Sequence, residues 1–311
     1  MNTTLDFSRV NYLEINELQA EQRIDNFLLK HLKTLPKSHL YRLLRKGEIR
    51  VNKGRIKPDY RLKQNDILRL PPLQLEQKVS SQPSSRLLDL LSNCIMYEDK
   101  ELLVLNKPSG IAVHGGSGIS SGVIEGLRAL FPKAPFLELV HRLDRETSGC
   151  LLIAKKPAML RQLHEDLRNH QLEKTYLALV KGRWNPLVTQ INAPLQRNIL
   201  HSGERMVKVE TTGKEALSYF HLRQHFKEAS FMEIKLATGR THQIRVHAAF
   251  VGHGLAGDEK YGDGDFNKQM KEYGLNRLFL HAWRLRLPHY DKPFQAPLDE
   301  QLKKILTILP K

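Results

Sequence analysis

Apolar residues recur at helical spacing near the start of the chain and predict two helices there. Between Arg23 and Leu32 the apolar positions fall three or four residues apart, as on one face of a helix. Pro36 suits the first turn of a second helix, and Gly47 is placed to end it. The apolar stripe of this second helix consists of Leu40, Leu43 and Leu44.

A small sheet is predicted directly after these helices. Ile49 and Val51 alternate with charged residues, 52–54 reads as a turn, and 67–70 gives a further strand. Two prolines end this module, and the polar stretch that follows is typical of a flexible linker with a short helix at 86–91. We therefore divide the chain into an N-terminal extension (1–20), a small module (21–72), a linker (73–92) and a larger domain (93–311).

Beyond the linker, strand and helix patterns alternate without a regular repeat. The predicted strands are 102–106, 149–155, 175–181 and 230–236, and the predicted helices are 123–130, 157–169 and 241–251. This order favours an α+β domain with a mixed, mainly antiparallel sheet and a central cleft.

Charge changes the picture, because the excess of cations is concentrated in the small module. The chain has 311 residues, 41% hydrophobic and 26% charged, with 49 Lys and Arg against 33 Asp and Glu, a net charge of +16 and a pI near 9.8. Fourteen of these cations and only four of these acids lie between Arg23 and Arg69. One-signed charge of this kind indicates a polyanionic partner, most often a nucleic acid.

The sequence predicts neither a metal nor a small-molecule cofactor. Its two cysteines do not form a CxxC pair, and its histidines do not show the spacing of an HExxH site. The glycine-rich segment 115–122 lacks the ending of a phosphate-binding P-loop. The apolar runs are too short to span a bilayer, and no signal peptide is evident, so we expect a cytoplasmic protein.

The segment HRLDRETSGCLLIAKK (141–156) is the strongest candidate for chemistry. A polar turn that contains Asp144 runs directly into an apolar strand, and such turns often carry reactive side chains. Alternatively, Asp144 is a turn or capping residue in a surface ion pair with Arg142 or Arg145.

Two further segments favour the functional interpretation. TGRTHQIRVH (238–247) supplies Arg240 and Arg245, and a nearby cation favours the ionised form of a carboxylate. LEKTYLALVKG presents Tyr176 near the start of a strand, where its ring could stack on a base. Together the three segments predict a charged, aromatic cleft.

The small module resembles the S4 RNA-binding module, through RIDNFLLKHL and PKSHLYRLLRKGEIRVNKGRIK. In that family, the second helix and the following turn hold the phosphate backbone of folded RNA. The resemblance therefore implies seven backbone contacts: Lys37, Arg42, Arg45, Lys46, Arg50, Lys53 and Arg55.

HRLDRETSG, KTYLALVKG, GRTHQIRVH, GDEKYG and FLHAW together resemble the ribosomal pseudouridine synthases that carry an N-terminal S4 module. The resemblance implies that Asp144 is the catalytic carboxylate and that Arg245 pairs with it. It further implies that Tyr176 stacks on a flipped base and that Arg142 fills the gap left in the RNA. We hypothesise that Leu280 forms part of the apolar wall.

The implied reaction is isomerisation of uridine to pseudouridine in 23S ribosomal RNA or a precursor of the large subunit, by a monomer without cofactor. Glu146, Cys150 and the pair Gly254-Leu255 depart from the common family pattern, but they spare the residues given these roles. Two alternatives stay open: a non-catalytic ribosome-assembly factor, and an RNA N-glycosylase in which Glu146 supplies a second carboxylate.

Overall fold

The computed structural model describes residues 8–32, 35–73, 83–116, 121–199 and 205–311. The chain divides into two units, residues 1–80 and 81–311. Most of the predicted linker (74–82) and part of the glycine-rich segment (117–120) lie outside the described residues. None of the helices in the described ranges has the length and apolar character that a membrane span requires.

The first unit combines two helices with a small antiparallel sheet. Its elements are β1 (Asn11–Glu14), a 3-10 helix (Glu17–Gln19), α1 (Ile24–His31), α2 (Lys37–Lys46), β2 (Arg50–Val51), β3 (Gly54–Arg55) and β4 (Ile67–Leu70). The predicted apolar stripes of both helices are buried against the sheet, in one core with Ile49 and Val51. Gly47 ends α2 in the left-handed conformation, at φ +70°, as its position predicts.

The sheet of this unit has the order β1-β4-β2-β3 within the described residues. Strand β1 lies in the segment that we assigned to an N-terminal extension, and it pairs with β4 along its full length. Its four residues are too few to show a clear alternation in the sequence, which is why the strand was not predicted.

The second unit is built on a long sheet. Its elements are α3 (Ser85–Ser92), β5 (Ile95–Glu98), β6 (Leu102–Lys107), α4 (Val123–Leu130), β7 (Glu138–Leu139), β8 (Ser148–Ala154), α5 (Pro157–Arg168), β9 (Glu173–Lys181), β10 (Gln190–Asn192), β11 (Leu195–Ile199), β12 (Arg205–Val209), β13 (Leu217–His225), β14 (Ala229–Leu236), α6 (Gln243–Phe250), α7 (Gly264–Glu272), β15 (Leu280–Arg286), β16 (Phe294–Gln295) and α8 (Glu300–Ile308).

Strand order and direction confirm the α+β prediction. In the described part of the chain the sheet runs β10-β13-β14-β9-β15-β8-β6-β5, with β16 beside β15 and β7 beside β8. Neighbouring strands are antiparallel except β15 and β8, which run parallel. Strands β11 and β12 form a separate hairpin that the sequence pattern did not predict.

The helix predicted over 241–251 begins later, at Gln243. His242 has φ +53°, in the left-handed region, and therefore cannot continue the right-handed turn. The backbone bends at this residue, and the bend turns the His242 side chain towards the cleft described below.

Candidate functional site

Asp144 lies on the loop that enters β8. Strand β8 is buried along its whole length, so it holds the end of this loop in place. Gly149, the second residue of β8, has φ +109°, and a Cβ atom there would lie 2.2 Å from the Ala282 carbonyl oxygen of β15. Only glycine allows the two parallel strands to approach this closely next to the Asp144 loop.

A buried lysine fastens the same loop from the other side. The Nζ atom of Lys107 donates hydrogen bonds to the carbonyl oxygens of Pro108, Ile111 and Arg145, at 2.9, 2.8 and 3.0 Å. Burial, with the charge of Arg277 adding to it, lowers the pKa of Lys107 to about 7, although the carboxylates of Glu146 and Asp144 oppose the shift. The segment after β6 and the Asp144 loop are thereby joined into one rigid support.

The predicted pair of Asp144 and Arg245 is in contact, although Arg245 has a stronger partner. Arg245 Nη1 lies 3.4 Å from Asp144 Oδ2. Its Nε and Nη2 atoms donate shorter hydrogen bonds to Asp258, at 2.7 and 2.8 Å. Burial alone would raise the pKa of Asp258, but the hydrogen bonds from Arg245 outweigh it and lower that pKa. A buried ion pair therefore presents one guanidinium edge to Asp144.

A second contact reaches Asp144 from His242. Tyr261 Oη accepts a hydrogen bond from the Val207 amide at 3.0 Å and lies 2.8 Å from His242 Nδ1. The Tyr261 hydroxyl thus holds the ring through Nδ1. The other ring nitrogen, Nε2, lies 3.7 Å from Asp144 Oδ2, beyond hydrogen-bond distance. Burial lowers the pKa of His242, which favours the neutral ring beside the carboxylate.

Asp144, His242 and Arg245 border a cleft of about 510 Å³, a size that suits a single nucleotide. The ring of Tyr176 forms part of the wall beside Leu280, and burial raises the pKa of its hydroxyl, with Asp144 adding to the effect. Asp144 is the one carboxylate among the described lining residues, and its side chain is 29% exposed. The lining cations are Arg142, Lys174, Arg197, Arg240 and Arg245.

The alternative ion pairs for Asp144 do not form. Arg142 is exposed and borders the cleft, and Arg145 lies 3.5 Å from Glu146 instead. Within the described ranges, no cluster of three or more His, Cys, Asp or Glu side chains is arranged to hold a metal ion. The chemistry that the cleft offers is thus one accessible carboxylate with a hydrogen bond from Arg245 and the His242 ring nearby, an aromatic wall and a surplus of positive charge.

All seven cations predicted to contact RNA are exposed on the first unit. Lys37, Arg42, Arg45 and Lys46 are on α2, and no described carboxylate forms an ion pair with any of the seven. Arg50 and Arg55 face each other on β2 and β3, and the sheet register continues the row to Arg69 and Tyr12. Arg69 and Tyr12 were not singled out from the sequence, because only the register reveals the row.

Sequence reasoning also missed three residues around Asp144: Asp258, Tyr261 and His242. All three stand in segments quoted for the resemblance, GDEKYG and GRTHQIRVH. An acidic residue within a glycine-bounded turn gives no sign that it will be fully buried against a distant arginine. These contacts join residues that are distant in the sequence, such as Asp258 with Arg245 and Tyr261 with Val207, and no local pattern encodes them.

The chain matches two family models, and it is closely similar to curated proteins. Residues 101–250 match the RNA pseudouridylate synthase model, and residues 22–68 match the S4 domain model. The chain is 53% identical to ribosomal large subunit pseudouridine synthase C of Yersinia pestis, over 97% of this chain and 96% of that protein. The same identity and coverage hold for the protein of that name from Haemophilus influenzae.

A solved structure shows the same likeness. Human RNA Pseudouridylate Synthase Domain Containing 4 aligns with a TM-score of 0.58 and 26% identity, over 73% of this chain and 98% of that one. The aligned share of this chain is close to the share that the second unit occupies.

Proposed function

Since this chain belongs to the RNA pseudouridylate synthase family, we propose that it isomerises uridines in large-subunit ribosomal RNA and that Asp144 is the carboxylate that reacts. The relatives named above carry that substrate in their names. The accessible carboxylate in a cation-lined cleft is the observation on which the role of Asp144 depends.

The reaction exchanges one glycosidic bond for another. The N1–C1′ bond of uridine breaks, the freed uracil turns, C5 bonds to C1′, the C5 proton leaves and N1 takes up a proton, so that substrate and product have the same atoms. Asp144 acts on this centre as a nucleophile or by stabilising positive charge on the sugar. The long hydrogen bond from Arg245 orients its carboxylate beside the His242 ring and still leaves it available for the reaction.

The target base has to leave the RNA stack before it can reach Asp144. Extrusion of a base costs a few kcal/mol, and stacking on an aromatic ring returns roughly 1–3 kcal/mol. We assign this stacking to Tyr176, with Leu280 beside it as apolar wall. Exposed Arg142, at the edge of the same cleft, takes the space that the base vacates.

In this proposal the seven exposed cations of the first unit bind the phosphate backbone of the RNA. Their phosphate contacts position the substrate without reading its sequence. We also propose that the protein acts in the cytoplasm as a monomer. Its positive charge suits ribosomal RNA as its binding partner. Light scattering of the free protein and of its RNA complex tests the monomer.

The test of the central proposal compares two adjacent carboxylates. RNA labelled with tritium at uridine C5 releases tritium when pseudouridine forms. We expect Asp144→Asn to abolish release while the Kd for RNA stays within a few-fold. Glu146→Gln, whose side chain is 48% exposed beside Arg145, is the control and should retain activity.

The same labelled RNA and the same two variants address both alternatives, because an N-glycosylase would leave the tritium on the released uracil. An N-glycosylase that depends on two carboxylates would lose activity in both variants and would release free uracil. Full activity of Asp144→Asn would exclude this carboxylate from the reaction. Inactivity of the wild-type protein on all large-subunit RNA would instead favour the assembly factor.

A further inference from the structure

Lys174 is a cation in the wall of the cleft that has no anionic partner in the described structure. Its Nζ atom lies so close to Gly239 that a Cβ atom at that glycine would be 3.1 Å away. Neither a hydrogen bond nor an ion pair of this half-buried lysine is found in the described ranges, whereas each of the other cations of the cleft, apart from the exposed Arg142, has such a partner. Arg197 and Arg240, for example, donate hydrogen bonds to Thr241 and to the Glu215 carbonyl.

This arrangement is costly for the folded protein. A buried or half-buried ammonium loses part of its hydration, and without an anion or carbonyl nearby nothing replaces it. Burial accordingly lowers the pKa of Lys174. Charged groups without partners are uncommon in protein interiors, and where one faces an open cleft it indicates a place for an anionic ligand.

The position of Lys174 on β9 relates it to the base-binding residue. Side chains two residues apart on a strand point to the same face, so Lys174 and Tyr176 both face the cleft. Two residues of a strand span about 6.6 Å. That separation is of the order of the distance between a base and the phosphates of its own nucleotide.

The surroundings of Lys174 differ from those of Asp144. The cross-strand neighbours of Lys174 are the apolar residues Leu236 of β14 and Leu285 of β15, and Asp144 is the one carboxylate among the described residues that line the cleft. An ammonium in such surroundings binds a phosphate oxygen more strongly than one in open water, because the local dielectric constant is lower.

We propose that Lys174 is a phosphate-binding residue that contacts a phosphodiester group adjacent to the flipped uridine. This inference rests on the proposed function of the cleft and adds a substrate contact to it. The contact anchors the backbone of the target nucleotide while Tyr176 receives its base, and so fixes C1′ next to Asp144. Lys174 is then required for productive binding, and it takes no part in bond making or breaking.

The test begins with Lys174→Met, which keeps the aliphatic stem and removes the charge. We expect the Kd for an RNA fragment that the wild-type enzyme converts to rise roughly ten- to a hundred-fold, the effect of losing one hydrogen bond to a charged group. The slope of log Kd against log salt should fall by about 0.7, as for one phosphate contact. The melting temperature should stay the same or rise, because the variant removes a desolvated charge.

Lys235→Met is the matched control. Lys235 lies on β14 beside β9, faces the opposite side of the sheet from Leu236, and pairs with Glu173 at 3.2 Å. It should leave the Kd, the salt slope and the conversion unchanged. A large fall in the melting temperature of Lys174→Met, with an unchanged Kd at temperatures where it is folded, would show that the lysine is structural and would overturn the proposal.

A chemical double-mutant cycle locates the contact. The phosphate on either side of the target uridine is replaced by an uncharged methylphosphonate, with a 2′-deoxynucleotide before that linkage in both the test and the reference RNA. At one of the two positions the replacement should weaken wild-type binding about as much as Lys174→Met does, and should have little further effect on that variant. Additive losses at both positions would overturn the contact.

Failure of this inference is distinguishable from failure of the proposed function. If the wild-type enzyme converts the unmodified RNA and Lys174→Met binds and converts it equally well, only the phosphate contact is wrong. If the wild-type enzyme releases no tritium from any large-subunit RNA, the proposed function is wrong whatever the variant does.

Discussion

Arg245 makes its two short carboxylate contacts to Asp258, at 2.7 and 2.8 Å, and this buried pair carries the contact to Asp144. The Asp258 side chain is fully buried and also accepts hydrogen bonds from the amides of Lys260 and Tyr261. The charge of Arg245 is thus already balanced before Asp144 is considered. The carboxylate of Asp144 can therefore face the substrate. It would be less available if Arg245 formed its short ion pair with Asp144 instead of Asp258.

The first prediction concerns this pair. Asp258→Asn leaves the guanidinium of Arg245 buried without its counter-charge, and loss of one partner of a buried pair costs about 3–5 kcal/mol of folding free energy. Denaturant unfolding monitored by circular dichroism measures this change. Asp263→Asn, which breaks the more exposed pair with Lys181, is the control and should cost less than about 1 kcal/mol. Equal costs for the two variants would contradict the role of Asp258.

The second prediction concerns the chain from Tyr261 through His242 to Asp144. His242→Ala removes the ring that lies beside the carboxylate, and Tyr261→Phe removes the hydroxyl that holds this ring through Nδ1. Each variant should slow single-turnover conversion by roughly 5- to 30-fold, the equivalent of about 1–2 kcal/mol, with the RNA Kd unchanged. Because both variants interrupt the same chain, their combination should be less than additive.

The control for this chain is His221→Ala, an exposed histidine on β13 away from the cleft, which should convert RNA at the wild-type rate. If His242→Ala weakened RNA binding without slowing bound-state conversion, His242 would be a substrate contact and not a positioning residue.

The sequence predicted the local elements well, because each depends on a short pattern. The stripe of Leu40, Leu43 and Leu44 with Gly47 after it determines α2, and the apolar run after Gly149 determines β8. The position of Asp144 at the entrance to β8 was also predictable, since a polar turn before a buried strand is a local feature.

The remainder depends on contacts between distant segments. Asp258 binds Arg245 thirteen positions earlier, and Val207 reaches Tyr261 across 54 positions of sequence. Lys174 drew no attention in the sequence because a lysine two residues before a tyrosine is an ordinary strand pattern. Its isolation in the cleft becomes visible only when the residues around it are placed.

The third prediction concerns the cations of α2. Charge reversal at Arg42, Arg45 and Lys46 should weaken RNA binding and reduce the slope of log Kd against log salt by about 2, from the loss of three phosphate contacts. Fluorescence anisotropy at several salt concentrations measures this slope. The single-turnover rate at saturating enzyme should change little, because these residues lie on the first unit, whereas the described residues that line the cleft belong to the second. An unchanged salt slope would show that this surface does not bind RNA.

The fourth prediction concerns pH and the buried histidine that supports the Asp144 loop. His281 Nε2 donates to the Ala296 carbonyl at 2.9 Å, and its Nδ1 accepts from Ser148 Oγ at 2.8 Å. Burial lowers the pKa of His281 from its ordinary 6.5 to about 4. Between these two values the unfolded chain binds a proton that the folded protein does not, so folding stability falls as pH decreases through this window.

The size of this effect follows from the width of the window. The difference between the pKa of His281 in the unfolded chain and in the folded protein corresponds to about 3 kcal/mol of folding free energy. This contribution is present above pH 6.5 and is lost by about pH 4. His281→Gln retains a polar side chain that does not titrate. It should be less stable than the wild type at neutral pH, because the hydrogen bonds of the ring to Ser148 and Ala296 are lost. Because it does not titrate, its stability should decline less steeply between pH 6.5 and 4. His221→Asn, at an exposed position, should keep the wild-type profile.

Activity should follow stability in this window for a structural reason. Protonation places a hydrogen on Nδ1 opposite Ser148 Oγ, which already accepts a hydrogen bond from Arg277 at 2.6 Å. Ser148 is the first residue of β8, so a change in its hydrogen bonds loosens the end of the Asp144 loop. Tritium release measured from pH 7 to pH 4.5 should decline more steeply in the wild type than in His281→Gln, once each is divided by its activity at pH 7. If the two proteins showed parallel profiles, protonation of His281 would affect neither the Asp144 loop nor catalysis, which would contradict this prediction.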